Sequence, residues 1–214
     1  MLRRPRTSSP QKADTRDLAA TVLRRRRHWQ WSLLALVFVA AGSSVCSQAT
    51  SPQDARRVQG QRVRVIRVVD GDTLIVSSPT FSADERLRLR GVDAPELAHD
   101  NQPAAYWGVE AKEYLRRRIE GRDVILHFDG TETRDRFGRL LAFVYVTEND
   151  CINLAMIRDG HAYADRRFAS FMKSQLGQAE GEARKKGRGL WKSVTPEQMP
   201  AWRQKWLERR LQND

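Results

Sequence analysis

Residues 61–76 read QRVRVIRVVDGDTLIV. Val63 and Val65 alternate with Arg62 and Arg64, the period-two pattern of a strand with one wet face. Asp70-Gly71 then marks a hairpin turn, and residues 73–76 supply the returning strand. Outward from this pair, a third strand is predicted at 86–92, where Leu87 and Leu89 alternate with Arg86, Arg88 and Arg90. The loop DAPELAHDNQP follows, with two prolines. Trp107, Ala111, Tyr114, Leu115 and Ile119 fall at helical spacing, and Gly121 ends that helix. Residues 124–128 and 140–146 read as strands on either side of TETRDRFGR. Asn153 is expected to cap a short helix over 154–158. A longer helix is expected over 168–186, burying Phe168, Phe171, Met172, Leu176, Ala179 and Ala183.

Five short strands closed by helices predict an α+β fold, a five-stranded OB-type β-barrel with about three helices. The chain has 214 residues and a formal charge of +12. Residues 1–30 carry 9 basic and 2 acidic side chains, whereas residues 61–214 carry 27 and 23. The basicity is therefore concentrated before the barrel, and is a topology signal rather than evidence of a nucleic-acid-binding surface.

Residues 29–45, WQWSLLALVFVAAGSSV, follow four arginines. An apolar run of about a dozen residues suits a signal-peptide core and falls short of the roughly 20 needed to span a bilayer. Two readings of residues 1–49 stay open. One is a cleaved export signal, with Ser47-Gln48-Ala49 as the cleavage site; the other is an uncleaved single-span anchor touching the membrane through residues 29–45. Both place the rest of the chain outside the cytosol, because the arginines stay inside. It is then periplasmic or secreted, or held by one N-terminal transmembrane helix. Residues 50–60 read as a polar linker and 61–192 as the folded domain. Only two cysteines exist, Cys46 and Cys151, which excludes a disulfide scaffold. Cleavage after Ala49 would remove the first, so no intrachain disulfide is expected, and Cys151 reads as a packed thiol.

Carboxylates gather at two turns: Asp70 and Asp72 in DGDT, Asp93 and Glu96 in DAPE. Carboxylates with loop carbonyls nearby suit a hard cation such as Ca²⁺. Arg88 and Arg139 supply the opposite charge, matched to phosphate by the guanidinium fork. Read alone, each turn is equally an Asp-Gly hairpin or a turn-plus-cap segment, and the arginines a solvated strand face. Together they form a coherent set for phosphoryl transfer. The four histidines lack zinc-ligand spacing, and no GxSxG elbow, Walker loop or dinucleotide fingerprint is present.

Six blocks in order, VIRVVDGDTLIV (65–76), RLRLRGVDAPE (86–96), YWGVEAKEYL (106–115), DRFGRLLAFVYV (135–146), NLAMIRDGHAY (153–163) and AEGEARKKGRGLW (179–191), resemble the staphylococcal-nuclease (thermonuclease) family. The resemblance implies an OB-fold barrel and Ca²⁺-dependent hydrolysis of DNA and RNA, cutting on the 5′ side of phosphorus to leave 3′-phosphates. By motif position, Asp72, Asp93 and the main-chain carbonyl of Ala94 match the metal ligands. Glu96 matches the general base, Arg88 and Arg139 the phosphate-binding arginines, and Asp70 an acidic position close to the metal without binding it. Arg136, Phe137 and Arg166 fall at substrate-binding positions. There the chain departs from the family's type member, which has lysine and an aromatic hydroxyl in place of Arg136 and Phe137, and tyrosines in place of Arg166 and Phe168. The implied substrates are single-stranded DNA and RNA, with no protein partner and a monomeric chain.

Residues 193–214 lie beyond the resemblance. Met199, Trp202, Trp206, Leu207 and Leu211 form an apolar stripe on a basic helix, suited either to the domain's own surface or to an interface. Two other functions stay open on sequence grounds: a non-catalytic OB module that only holds nucleic acid, and a hydrolase of another phosphodiester.

Overall fold

A computed structural model describes residues 56–99, 102–130 and 132–212. The signal or anchor segment and the first part of the linker lie outside the described residues. Among the described residues the strands are β1 Arg62–Val68, β2 Thr73–Ser77, β3 Glu85–Leu89, β4 Val92–Asp93, β5 Asp123–Phe128, β6 Leu140–Thr147, β7 Asp150–Cys151 and β8 Tyr163–Ala164. Four α-helices join them among the described residues: α1 Gly108–Ile119, α2 Ile152–Arg158, α3 Lys173–Lys185 and α4 Ala201–Leu211.

The sheet runs β3-β2-β1-β5-β6, and a parallel β3–β6 pairing closes it into a five-stranded barrel. The expected alternation holds: Val63, Val65, Leu87 and Leu89 point inward, while Arg62, Arg64 and Arg86 stay in water. Closure leaves no edge strand in the barrel, and the wall is filled from inside by residues such as Leu74, Leu126 and Phe143. That burial is the main favourable contribution to the fold.

Four expectations need correction. The packed unit starts before residue 61: Val58 is fully buried, and the Gly60 N–H donates to the Leu126 carbonyl. The third strand stops at Leu89. Its continuation, β4, leaves the barrel to pair with β8, Asp93 opposite Tyr163. Asn153 is no cap but the second residue of α2, fully buried. Its Oδ1 accepts from the Val144 N–H, and its Nδ2 donates to the Arg90 and Ala142 carbonyls. A side chain so satisfied is more useful pinning α2 to the barrel than closing a helix end. The long helix begins at Lys173, not at 168, leaving Phe168 and Phe171 each 60% exposed. The preceding loop is tied down instead: the Arg90 guanidinium takes the Ala169 carbonyl, and Asp129 takes the Phe171 N–H.

The tail folds onto its own domain, with a charge at the centre of its contact as well as the apolar stripe. Arg203 is 2% exposed and pairs bidentately with Glu180, at 2.8 Å for each bond.

Candidate active site

The site is built where two turns are pressed together. In the first, Asp70 Oδ1 accepts the Asp72 N–H at 2.9 Å and shapes the loop after β1. Gly71 follows Asp70, and a Cβ there would stand 2.5 Å from the Ala94 Cβ and 2.9 Å from that of Ala111. Only glycine lets the DGDT turn, the DAPE turn and α1 meet this closely. The contact brings Asp72 and Asp93 together, and the Ala94 N–H donates to Asp72 Oδ2 at 2.8 Å.

Arg88 sits opposite Thr73 in the β2–β3 register. Its Nη1 pairs with Asp72 Oδ1, and its Nη2 reaches Asp93 Oδ1 and the Val92 carbonyl, each at 3.2 Å. One guanidinium thus serves both carboxylates. Burial pushes the Asp72 carboxyl well above the usual carboxylate range, against the pull of Arg88. Burial also raises Glu96, with Asp70 adding to the effect. Both shifts disfavour the charged carboxylate, which a cation bound beside it would offset.

Asp72 and Asp93, both held by Arg88, offer carboxylate oxygens of the kind a hard cation takes. Among the described residues no group of three Asp, Glu, His or Cys side chains converges on one point, so a bound ion would take most of its ligands from the backbone, water and substrate. The contact seen at Ala94 is its N–H on Asp72, which orients the carboxylate rather than supplying a ligand.

Glu96 is held from behind. Its carbonyl accepts the Ala105 N–H at 2.9 Å, and a Cβ on Gly108 would lie 2.5 Å from that same oxygen. Between them Trp107 takes a left-handed φ of 73°, a conformation costing a non-glycine residue about 1–3 kcal/mol. It is kept there by an indole N–H donated to His161 Nδ1 at 3.1 Å, with the imidazole stacked on Tyr114.

This arrangement needs a neutral His161, and burial lowers its pKa below the ordinary value. With the folded value below the unfolded one of about 6.5, the contribution is full above that pH and is lost as pH falls through the folded value. Thermal melting is expected to show stability declining from about pH 6.5 downward, with the decline shallower in His161→Gln, which can accept the indole bond without titrating. Equal slopes in the two proteins would contradict this role.

Glu96 and Arg88 face a cleft of about 630 Å³, lined also by Arg136, Phe137, Arg139, Arg167 and Phe168. Arg139 enters from the start of β6, held by Asp135 at 2.7 Å, with its guanidinium over the Phe137 ring. Phe137 is 69% exposed, an aromatic face offered to the cleft. The structure therefore brings Asp72, Arg88, Asp93, Glu96 and Arg139 to one place, with Asp70 beside them and Arg136 and Phe137 at the rim.

Arg166 is the exception. It faces Glu180, 3.6 Å away, and the Trp206 ring, outside the cleft. Its neighbour takes the position by the site: Arg167 Nη2 reaches Asp93 Oδ1 at 3.2 Å and Asp165 at 2.8 Å. The chain turns as it leaves β8, with the Arg167 N–H donated to Asp165 Oδ1 at 3.0 Å, and this turn delivers Arg167 to the cleft. Sequence reasoning also missed Trp202, whose indole N–H donates to Asp93 Oδ2 at 2.9 Å. No local signal could have placed it, because 109 residues separate the two.

Residues 86–193 match the family model described as "Staphylococcal nuclease homologue". Among curated proteins, the chain is 33% identical over 132 residues to "Thermonuclease" of Staphylococcus hyicus, covering 61% of this chain and 76% of that one. It is 34% identical over 136 residues to "Thermonuclease" of Staphylococcus intermedius, covering 63% and 78%. It is 32% identical over 140 residues to "Uncharacterized endonuclease" of Escherichia coli, covering 65% and 81%.

Proposed function

The chain belongs to the staphylococcal nuclease family, and from that premise we propose that it is a Ca²⁺-dependent endonuclease acting on single-stranded DNA and RNA outside the cytosol. The observation that carries this reading is an open cleft lined by Arg88, Glu96 and Arg139, with Asp72 and Asp93 both paired to Arg88. The arginine-rich leader and apolar run of residues 24–45 support export or single-span anchoring.

Asp72, Asp93 and the Ala94 carbonyl would hold the ion. When bound, it polarises the phosphate and offsets the negative charge of the site. Arg139 and Arg88, both on the cleft wall, hold the non-bridging oxygens as charge develops on them. Glu96, with its pKa raised by partial desolvation and by Asp70, is a stronger base than a free carboxylate and takes the proton of the attacking water. The water oxygen bonds to phosphorus as the bond to the 5′ oxygen breaks. The 5′ oxygen leaves with a proton from solvent, giving a 5′-hydroxyl and a 3′-phosphate. Phe137 provides a face for base stacking but, lacking a hydroxyl, cannot bond to a phosphate.

A Ca²⁺-dependent digest of a labelled oligonucleotide is expected to yield fragments with 3′-phosphate ends, shown by their shift on phosphatase treatment. Glu96→Gln should lower the rate about 10²–10⁴-fold while retaining Ca²⁺ affinity better than Asp72→Ala. Equal loss of Ca²⁺ binding in both variants would recast Glu96 as a ligand. Fragments ending in a 3′-hydroxyl would refute the stated direction of cleavage.

A further inference from the structure

The segment from Ser193 onward continues past the barrel and its helices, yet it reaches the centre of the site. The Trp202 indole donates to Asp93 Oδ2 at 2.9 Å, while Asp93 Oδ1 faces Arg88, which also holds Asp72 Oδ1. The two oxygens of Asp93 are thereby assigned to different neighbours, and the carboxylate is fixed in rotation with Oδ1 on the Asp72 side.

The indole is itself held. Its ring lies 4.7 Å from the Arg167 guanidinium, whose Nη2 also reaches Asp93 Oδ1. The next residue, Arg203, is the buried partner of Glu180, and its guanidinium lies 5.1 Å from the rings of both Tyr163 and Trp191. Glu180 Oε1 accepts the Ala164 N–H of β8, the strand that pairs with β4 at Asp93. A continuous set of contacts therefore runs from the anchor of α4 to the backbone and side chain of one carboxylate.

We propose that α4 is part of the active site, with Trp202 the positioning residue that orients Asp93 as a metal ligand. The proposal rests on the metal site given above. Partners that orient a ligating carboxylate from behind commonly set metal affinity, and their loss weakens binding about 10–100-fold. The alternative is a tail that packs on the domain and adds stability alone.

The test uses the full chain and Ca²⁺ titrations by calorimetry, on wild type, Asp72→Ala and Trp202→Phe. Phenylalanine keeps an aromatic face for Arg167 and removes the N–H donor along with part of the ring, and the metal-free melting midpoint registers any packing loss. The expected result is Ca²⁺ binding lost in Asp72→Ala and weakened at least about 10-fold in Trp202→Phe, with the metal-free melting midpoint of Trp202→Phe matching wild type. Wild-type affinity in Trp202→Phe overturns the proposal and leaves the metal site standing. Weakened affinity accompanied by a lowered metal-free midpoint also overturns it, as a structural role would give. Ca²⁺ binding that survives Asp72→Ala, or is absent from wild type, overturns both the proposal and the metal site beneath it.

Discussion

Arg139→Ala is expected to lower turnover by about 10²–10³, the cost of removing one donor from a developing oxyanion, with little change in stability. The side chain lies on the cleft wall at the start of β6, while its neighbour Leu140 does the packing, fully buried. Its one carboxylate partner, Asp135, also caps the turn through the Phe137 and Arg139 N–H groups and keeps those bonds in the variant. The loss should therefore fall on chemistry rather than on folding. Turnover within a few-fold of wild type would remove Arg139 from the phosphate clamp. Arg88→Ala is a less separable probe than the sequence suggests. Arg88 neutralises two carboxylates at once, so its removal leaves the buried Asp72 without its main counter-charge and lowers stability together with activity.

Arg203→Ala is expected to destabilise the domain by about 3–5 kcal/mol, because it leaves the buried Glu180 carboxylate with the Ala164 N–H and only the more distant Arg166 as counter-charge. Both partners are at most 2% exposed, so solvent cannot take over. Denaturant unfolding measures the effect directly. Replacing Glu180 and Arg203 together with methionine should recover much of it, since two apolar side chains leave no buried charge. The Ala164 N–H would still lack its acceptor, which keeps that recovery incomplete. A loss under about 1 kcal/mol in Arg203→Ala, the worth of a surface pair, would mean that α4 undocks easily and water reaches Glu180.

The barrel and its two acidic turns were legible because they obey local rules. Alternating valines and leucines with arginines fix which face of each strand is inside, and Asp-Gly sets the hairpin that carries Asp72. The motif order then placed Arg88, Asp93, Glu96 and Arg139 around it. What could not be read depends on tertiary contact. Asn153 looks like a cap by type, and only the three bonds it makes to the barrel show it to be an internal pin. Phe168 and Phe171 match a helical stripe, yet Arg90 and Asp129 hold their backbone as a loop. Arg166 and Arg167 are indistinguishable in sequence; the direction of the chain leaving β8 selects the second for the cleft. Nothing local marks Arg203 as buried, because its partner Glu180 lies 23 residues earlier.

The most direct test of the central claim is the cleavage of a single-stranded DNA by the full chain in Ca²⁺ and then in EGTA, with Arg139→Ala alongside. Cutting in Ca²⁺ that stops with EGTA and falls about 10²–10³-fold in the variant is the predicted result. A folded, Ca²⁺-binding wild-type protein that leaves the DNA intact would contradict it, and would identify the cleft as a nucleic-acid holder or as the site of a different phosphodiester.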